Sequence, residues 1–367
     1  MTKKQHVITD KDGYKKIDEI LQKHGSSKFL LVCSKRDNFV KQYLRDSKLN
    51  HVVFSDFQSN PLYKNTVAGV SLFNKEKCDF IIAIGGGSAI DIAKCVKLFC
   101  KMDDSECYID QQYLNTEIPL MVLPTTAGAG SEATRYAVIY RDGVKQSVTH
   151  ESIVPDYVIL EPAFLATVPD YHKKSAMLDA LCQAIESMWS VNSTEESRDY
   201  SRNAIKNILK HYKAYLSGDK SAASDIMYAA YLSGKAINIT QTTAAHAMSY
   251  KLTSLYRIAH GHAVALCLPH VWSHISENRQ KTTDPRGADH LENVLNDLNT
   301  LFGTDSTLKT IEIFSDLLNS MELRFFRDDI DILVNSVNPD RLKNNPVNPG
   351  TDGISKMYKT IMKEIIQ

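Results

Sequence analysis

The sequence predicts an α/β domain with a doubly wound, mostly parallel sheet over residues 1–162, followed by an all-α domain over residues 163–367. In the first part, short apolar runs alternate with segments of helical spacing, which is the pattern of strands joined by helices in a parallel sheet. Beyond Pro162, apolar residues recur every three or four positions with little alternation, which is typical of packed helices. The predicted boundary at Pro162 is therefore a change of secondary-structure type.

Each element follows from its own apolar pattern. In the first domain, helices are predicted over 14–24, 38–49, 62–77 and 88–101, and strands over 28–33, 51–54, 80–84, 118–123 and 157–160. Two further strands, 136–140 and 144–149, flank Arg141-Asp142-Gly143, which predicts a hairpin. In the second domain, helical spacing runs over 173–189, 197–216, 222–238 and 244–256.

The composition argues against several classes of protein. The chain has 367 residues, with 43 basic and 43 acidic side chains and no basic cluster. Binding to a nucleic-acid backbone needs a concentrated cationic face, so we expect no nucleic-acid partner. No apolar run approaches the ~20 residues that span a bilayer, and residues 1–10 lack the apolar core of a signal peptide. With seven cysteines and no C-x-x-C pair, we expect reduced thiols, a cytoplasmic location and no membrane partner.

A glycine-rich turn follows the apolar run 80–84. Its sequence, Gly85-Gly86-Gly87-Ser88, predicts a buried strand, a tight turn and the start of a helix. We expect Ser88 to cap that helix and Asp91 to reach back to the cap amide. The other first-turn amides suit a phosphate, and glycine lets an anion approach the backbone closely. The pattern fits an ordinary strand-helix turn equally well, because it is not the G-x-G-x-x-G fingerprint.

A second loop of small residues, Pro124-Thr125-Thr126-Ala127-Gly128-Ala129-Gly130-Ser131-Glu132, follows the apolar run 118–123. Ligands of open α/β sheets bind at the carboxyl ends of the strands. We therefore expect the two loops to lie on neighbouring strands and to face one crevice.

Candidate metal ligands occur in the helical half. Asp179 and Gln183 are four residues apart in an apolar helix, so they share one face, and a buried acid there needs a partner. His246 and, further on, His260 and His262 add imidazoles. A carboxylate with two or more imidazoles suits Zn(II) or Fe(II) and leaves a position open for substrate. Each histidine taken alone also fits a hydrogen-bonded core or surface residue.

Five motifs, in this order, resemble the signature series of the iron-containing (group III) alcohol dehydrogenases. They are Gly85-Gly86-Gly87-Ser88 with Asp91 and Lys94, Pro124-Thr125-Thr126-Ala127-Gly128 with Gly130-Ser131-Glu132, Asp179-Ala180-Leu181, His246-Ala247-Met248, and His260-Gly261 with Leu268-Pro269-His270. The resemblance implies the dehydroquinate synthase-like architecture, with an N-terminal dinucleotide-binding domain and a helical domain that holds one divalent metal, Fe(II) or Zn(II). It also implies NAD(H) or NADP(H) in a cleft between the domains, and a homodimer.

The resemblance assigns roles in the helical domain. Asp179, His246 and His260 match metal ligands, whereas Gln183 stands where the family usually has a third histidine. An amide oxygen is a weaker ligand than imidazole, so Gln183 is expected to bind the metal weakly or through water. Tyr250 occupies a position that is often a histidine used in proton transfer. Either Tyr250 or His262 is expected to take that role, although His262 also fits a solvated loop residue.

The resemblance also assigns the cofactor residues. The expected contacts are with the pyrophosphate (Gly86, Gly87, Ser88, Asp91), the ribose and nicotinamide (Thr125, Thr126, Ser131, Thr134, Lys145) and the adenosine half (Asn60). Ser34 aligns with an aspartate of many NAD-preferring relatives and is followed by Lys35 and Arg36. The acidic barrier to a 2′-phosphate is therefore missing, so NADP should be tolerated. Lys35 and Arg36 also fit solvated surface charges.

The substrate expectation rests on residues 179–197 and 246–268, which resemble the branch that includes phosphonoacetaldehyde reductases; sulfoacetaldehyde reductases also belong to the family. We therefore expect reduction of a short anionic aldehyde, with hydride from the nicotinamide and the metal as Lewis acid. The substrate anion needs a cation, for which Arg341 ranks before Arg135 and Arg257, although each also fits a surface ion pair. The alternatives are a general short-chain alcohol or diol dehydrogenase and, more distantly, a non-redox cyclase of the same fold.

Overall fold

A computed structural model describes residues 4–36, 38–318, 321 and 329–366, with the side chains of 363–366 left out. The chain divides into two compact units, Met1–Thr167 and Val168–Gln367. The boundary predicted at Pro162 coincides with the first residue of a short 3-10 helix, Pro162–Thr167, which ends the first unit. Across the described ranges, every helix is too short or too polar to cross a membrane.

The first unit is built on a parallel sheet. Its strands and the hairpin strands are β1 (His6–Ile8), β2 (Phe29–Cys33), β3 (His51–Phe54), β4 (Phe80–Gly85), β5 (Leu120–Pro124), β6 (Tyr136–Arg141), β7 (Val144–Thr149) and β8 (Tyr157–Ile159). The order across the sheet is β1-β8-β5-β4-β2-β3, and each neighbouring pair is parallel. Helices α1 (Ile17–Lys23), α2 (Phe39–Asp46), α3 (Tyr63–Lys75) and α4 (Gly87–Phe99) connect the strands. The predicted parallel α/β fold is confirmed.

The central strands are apolar throughout because both faces are covered. All five residues of β2 and of β5 are buried, as are the first five of β4. Parallel strands covered on both faces are typically continuous apolar runs without alternation. The strand β1 was not predicted, since His6 is exposed, Val7 and Ile8 are only half-buried, and the three residues form a strand by pairing with β8.

The carboxyl ends of three adjacent strands define one edge of this sheet. Cys33 at the end of β2 pairs with Ile84, and Gly85 at the end of β4 pairs with Pro124 at the end of β5. The segments that follow these strands therefore begin side by side. The β6–β7 hairpin is also confirmed, and its turn residues Asp142 and Gly143 both have positive φ, 51° and 76°, as a type I′ turn requires.

The second unit is helical, as predicted. Its helices are α5 (Asp170–Trp189), α6 (Glu195–Leu216), α7 (Lys220–Thr240), α8 (Ala244–Tyr256), α9 (His260–Glu277), α10 (Gly287–Leu301), α11 (Thr307–Leu318), α12 (Ile330–Asn335), α13 (Pro339–Leu342) and α14 (Gly350–Ile366). Helix α5 lies at the centre and packs against α6, α7 and α9, while α8 packs against α9. Residues Met177–Trp189 of α5 are buried on every side, so polar groups there must find partners within the protein.

Candidate functional site

Three polar side chains of the second unit come together between α5, α8 and α9. They are Asp179 on α5, His246 on α8 and His260, the first residue of α9, and their ligand atoms all lie within 4.8 Å of one another. Asp179 and His246 are buried, and His260 is half-buried. Nε2 of His246 lies 3.3 Å from Oδ1 of Asp179. One carboxylate and two imidazoles form a donor set that suits Zn(II) or Fe(II).

Gly261 permits this convergence. A Cβ atom at Gly261 would lie 2.0 Å from the carbonyl oxygen of Ser175 and 2.7 Å from Cβ of Asp179, so any side chain would force α9 away from α5. Because His260 directly precedes this contact, its ring is held near Asp179. The rings of His260 and His246 pack edge to face, with centroids 5.5 Å apart.

Glu186 completes the site and was missed by the sequence reasoning. Its side chain is fully buried, one oxygen bonds Nδ1 of His246, and the other accepts hydrogen bonds from the first turn of α8. Asp179, Gln183 and Glu186 are spaced four and three residues apart along α5, so they lie on one face of the helix. That spacing was visible in the sequence and is the signal that would have found Glu186.

The electrostatics of the group fit a divalent cation. Burial lowers the pKa of His246, but the charge of Glu186 and hydrogen bonds to Asp179 and Glu186 outweigh burial and raise the pKa to about 10. Burial raises the pKa of Asp179, yet its bond to His246 and the charge of His260 hold that pKa below its ordinary value. The two buried carboxylates, Asp179 and Glu186, need compensating positive charge, which protonated His246 supplies here and which a bound metal ion would supply in its place.

Gln183 is drawn into the same network. Its Oε1 accepts a hydrogen bond from Oγ of Ser233 on α7 at 3.1 Å, and a further hydrogen bond from Gln183 lowers the pKa of Asp179. The carboxamide therefore links Asp179 to α7. Ligation of the metal by Gln183, directly or through water, stays a prediction.

The two candidates for proton transfer lie in different surroundings. Tyr250, one turn after His246, stacks on the ring of His260 with centroids 5.7 Å apart and planes 6° apart, so it adjoins the group of ligands. His262 is buried, and its Nδ1 lies 3.1 Å from Oη of Tyr171 at the start of α5. Burial, assisted by the charge of Lys174, lowers the pKa of His262 to about 4. The solvated-loop interpretation of His262 is therefore wrong.

The glycine turn of the first unit differs in detail from the prediction. Helix α4 begins at Gly87 with Gly86 as its N-cap, and Ser88 lies inside the first turn. The carboxylate of Asp91 accepts hydrogen bonds from Oγ of Ser131 at 2.7 Å and from the amide of Val138 at 3.1 Å. The predicted cap by Ser88 and Asp91 is wrong, because Asp91 is held by the second loop. The first amides of α4 still lack intrahelical acceptors, which suits an anion.

The second loop lies directly against the glycine turn. The amide of Thr125 donates to the carbonyl of Gly85 at 3.0 Å, and a Cβ atom at Gly86 would lie 3.3 Å from Oγ1 of Thr126. The expectation that the two loops follow neighbouring strands is confirmed by the pairing of β4 with β5. The residues that follow β4 and β5 therefore lie side by side at the carboxyl ends of these strands. They are Gly86, Gly87 and Ser88 after β4, and Thr125 and Thr126 after β5.

A buried lysine fixes this second loop. Nζ of Lys94, on α4, donates to the carbonyl of Ser131 at 2.5 Å, to Oγ1 of Thr134 at 3.1 Å and to the carbonyl of Tyr136 at 2.8 Å. Burial lowers the pKa of Lys94 to about 8. The side chains of Ser131 and Thr134 are buried and engaged by Asp91 and Lys94, so they hold the loop in place. Their direct contact with a cofactor stays a prediction.

The remaining predicted cofactor residues lie around the same unit. Ser34 is exposed directly after β2, as are Lys35 and Arg36. Asn60 has a positive φ of 58° before Pro61, whose carbonyl accepts from the amide of Tyr140. Lys145 lies on β7, and its charge acts on Asp91 to oppose the rise in pKa that burial causes there.

The three arginines proposed for the substrate anion differ in their pairing. Arg135 forms an ion pair with Glu151 at 2.6 Å, and Arg257 is exposed at the end of α8. Arg341 is half-buried on α13, which packs against α8, the helix that carries His246 and Tyr250. Within the described ranges no carboxylate forms an ion pair with Arg341.

Comparison with known proteins assigns the family. The sequence-family model for iron-containing alcohol dehydrogenase matches residues 4–162. The family model for the C-terminal domain of Fe-containing alcohol dehydrogenases matches residues 174–362. Long-chain-alcohol dehydrogenase 1 of Geobacillus thermodenitrificans is 31% identical over 296 residues, which cover 78% of this chain and 71% of that protein.

Two solved structures share the fold at lower identity. The sulfoacetaldehyde reductase from Bifidobacterium kashiwanohense in complex with NAD+ superposes with a TM-score of 0.84 at 24% identity, covering 98% of this chain and 99% of the other. A 1,3-propanediol oxidoreductase superposes with a TM-score of 0.86 at 24% identity, covering 98% and 100%. Family models match both halves of the chain, and the long-chain-alcohol dehydrogenase of Geobacillus thermodenitrificans is more than 30% identical to it. The chain therefore belongs to the iron-containing alcohol dehydrogenase family and is an enzyme of that class.

Proposed function

We propose that the enzyme is a metal-dependent, NAD(P)H-linked reductase of a short anionic aldehyde, which it converts to the corresponding 2-hydroxyethyl acid. Phosphonoacetaldehyde and sulfoacetaldehyde are the two substrates that fit this description. The proposal of an anionic substrate rests on Arg341, a half-buried cation on a helix that packs against α8. The fold-level likeness to a sulfoacetaldehyde reductase supports the same substrate class.

The metal would be Fe(II) or Zn(II), held by Asp179, His246 and His260, with Gln183 as a further candidate ligand. When bound there, it supplies a Lewis acid that polarises the carbonyl group of the aldehyde. The surrounding helices exclude water from Asp179 and His246, which are 5% and 3% exposed. The low exposure strengthens the electrostatic interactions of these groups.

Tyr250 would deliver the proton that completes the alcohol. Its ring stacks on His260, so its side chain adjoins the group of ligands. His262 is less suited to this role, because its Nδ1 is engaged by Tyr171 and burial disfavours its charged form. Water and the ribose hydroxyl of the cofactor are the other sources of the proton.

The nicotinamide cofactor supplies the hydride when it is bound. The pyrophosphate would be held by the first amides of α4 at Gly87 and Ser88, where the helix dipole favours an anion. Ser34, Lys35 and Arg36 present no acidic side chain after β2, which supports use of both NADH and NADPH.

We further propose that the enzyme is a homodimer, which light scattering on the purified protein would test.

Arg341 would hold the phosphonate or sulfonate group. A guanidinium donates two parallel hydrogen bonds to such an anion, and partial burial strengthens this charge-assisted interaction. A permanent anion on the substrate would then contribute to binding at every step of the reaction. Neutral aldehydes such as propanal would lack this contribution.

A second candidate function is oxidation of neutral alcohols or diols. The long-chain-alcohol dehydrogenase and the 1,3-propanediol oxidoreductase described above favour this alternative by their names. A non-redox cyclase of the same fold is not favoured, since the matching family models describe alcohol dehydrogenases.

The test is a comparison of initial rates. NADH and NADPH oxidation would be followed with phosphonoacetaldehyde, sulfoacetaldehyde and propanal on metal-analysed protein, with Fe(II) or Zn(II) added back. We expect one anionic aldehyde to lead by orders of magnitude. If propanal is as good or better, the anionic-substrate proposal fails and the second candidate is favoured.

The Arg341→Ala variant tests the anion-binding residue, and Lys343→Ala is its control because Lys343 directly follows α13 and its side chain is exposed and paired with Asp340. We expect Arg341→Ala to raise KM for the anionic aldehyde far more than KM for propanal, and Lys343→Ala to leave both unchanged. Equal increases for the two substrates would contradict the role of Arg341.

A further inference from the structure

We propose that Glu186 is the positioning residue of the metal site: one oxygen caps the N-terminus of α8, and the other holds Nδ1 of His246 so that Nε2 is presented to the metal. The inference rests on the proposed function, in which Asp179, His246 and His260 hold the metal. It assigns to one buried carboxylate both the start of a helix and the orientation of a ligand.

The N-terminus of α8 has no cap of its own. Thr243 precedes the helix, but its side chain makes no capping hydrogen bond. Instead, Oε1 of Glu186 accepts from the amides of Thr243, Ala245 and His246 at 3.1, 3.0 and 3.3 Å, and from Oγ1 of Thr243 at 2.7 Å. The first amides of a helix need acceptors, and its dipole favours an anion at this end. Glu186, projecting from α5, meets both requirements.

The position of His246 in α8 brings its ring to the same carboxylate. His246 is the third residue of the helix, so its amide is among those that point out of the N-terminus. Side chains on a helix tilt towards the N-terminus, which directs the imidazole back along the axis. Oε2 of Glu186 therefore bonds Nδ1 of His246 while Oε1 takes the amide of the same residue.

This arrangement decides which nitrogen of His246 can bind a metal. With Nδ1 donating to Glu186, the lone pair available for ligation is on Nε2, which lies 3.3 Å from Oδ1 of Asp179. Glu186 is 0% exposed and His246 is 3% exposed, so water does not compete for Nδ1. Without the carboxylate, the ring would be free to place a proton on Nε2 and turn it away from the metal.

The variant Glu186→Gln separates the two functions of the carboxylate. Its amide oxygen still accepts from the first turn of α8, but its NH2 group cannot accept from Nδ1 of His246. The measurement is the dissociation constant of Zn(II), by chelator competition, for the full-length enzyme. We expect Zn(II) to bind about 10- to 100-fold more weakly, as when the hydrogen-bond partner of a metal-bound histidine is removed.

Ser187→Ala is the matched control. Ser187 follows Glu186 on α5, is also 0% exposed and accepts a hydrogen bond from Oγ1 of Thr240 at 3.0 Å. The control therefore removes a buried hydrogen bond from the same turn without touching His246. We expect its Zn(II) affinity to match the wild type. Equal Zn(II) affinities for Glu186→Gln and the wild type would overturn the inference.

A second measurement begins with the wild type, so its main result does not depend on whether a variant folds. In metal-free wild-type protein labelled with ¹⁵N-histidine, the Nδ1 proton of His246 should be strongly deshielded and protected from exchange. Glu186→Gln should lose this signal, and Ser187→Ala should keep it. An ordinary, rapidly exchanging Nδ1 proton in the wild type would overturn the inference. Failure of the wild type to bind Zn(II), with the signal present, would instead overturn the metal site of the proposed function.

Discussion

Replacing Gly261 by alanine should separate α9 from α5 and open the group of metal ligands. The new Cβ atom would lie 2.0 Å from the carbonyl oxygen of Ser175, whereas such contacts are essentially never below 3.0 Å and are ordinary only from 3.4 Å. The two helices must therefore move apart by about 1.0–1.4 Å, the difference between those distances. The clashing atoms include backbone and Cβ atoms, so no side-chain rotation relieves them.

The cost follows from the rigidity of the two helices. Overpacking a buried contact typically costs ~1–3 kcal/mol, and we expect about 3 kcal/mol here because whole helices must shift. For a unit of about 200 residues this lowers Tm by ~6–12 °C. The ligand atoms of Asp179, His246 and His260 now lie within 4.8 Å of one another, so a shift of this size should also weaken Zn(II) binding strongly.

The assay is a thermal melt of the metal-free protein, followed by chelator competition for Zn(II). Gly353→Ala on α14 is the matched control, because its Cβ atom would meet only side chains, at 3.2 Å from Pro349 and 3.7 Å from His274. Alanine favours a helix interior over glycine by ~1 kcal/mol, which offsets the tight 3.2 Å contact, so the control should melt within a few degrees of the wild type. If Gly261→Ala melts with the wild type and binds Zn(II) equally well, the close-approach reasoning is refuted.

Two further predictions concern metal binding and pH. Zn(II) at about 100 times its Kd should stabilise the wild type by about 2.7 kcal/mol. The variant Asp179→Asn should show no such gain in a thermal melt, since it lacks the ligand carboxylate; an equal gain would contradict the assignment of Asp179. Burial raises the pKa of Glu132 from 4.5 to about 7, against smaller lowering effects of its own backbone and of Lys94. The folded state therefore binds more protons between these values, so the free energy of unfolding should fall by about 3 kcal/mol as pH rises through that window. Glu132→Gln should flatten this part of a urea-unfolding profile, and an unchanged slope would show that another group titrates there.

Local patterns in the sequence were sufficient for the strands β2–β8 and the helices α1–α8. Apolar runs and the glycine turn predicted the central strands β2, β4 and β5, and Asp142-Gly143 predicted the hairpin, because these signals act over a few residues. The four-residue spacing of His246 and Tyr250 likewise placed both on one face of a helix. The strand β1 escaped prediction because only pairing with β8 makes its three residues a strand.

The partners of the polar groups depended on tertiary structure. Asp91 was predicted to cap its own helix, but it bonds Ser131, 40 residues away, once the second loop packs against α4. Glu186 and His246 are 60 residues apart in sequence, and buried His262 bonds Tyr171 and Ser175 of α5, 91 and 87 residues away. The sequence by itself determined which segments form the strands β2–β8 and the helices α1–α8, since periodicity is a local property. The packing of α5, α8 and α9 decided which charges meet, because a buried polar group bonds to whatever donor or acceptor the neighbouring element brings within reach.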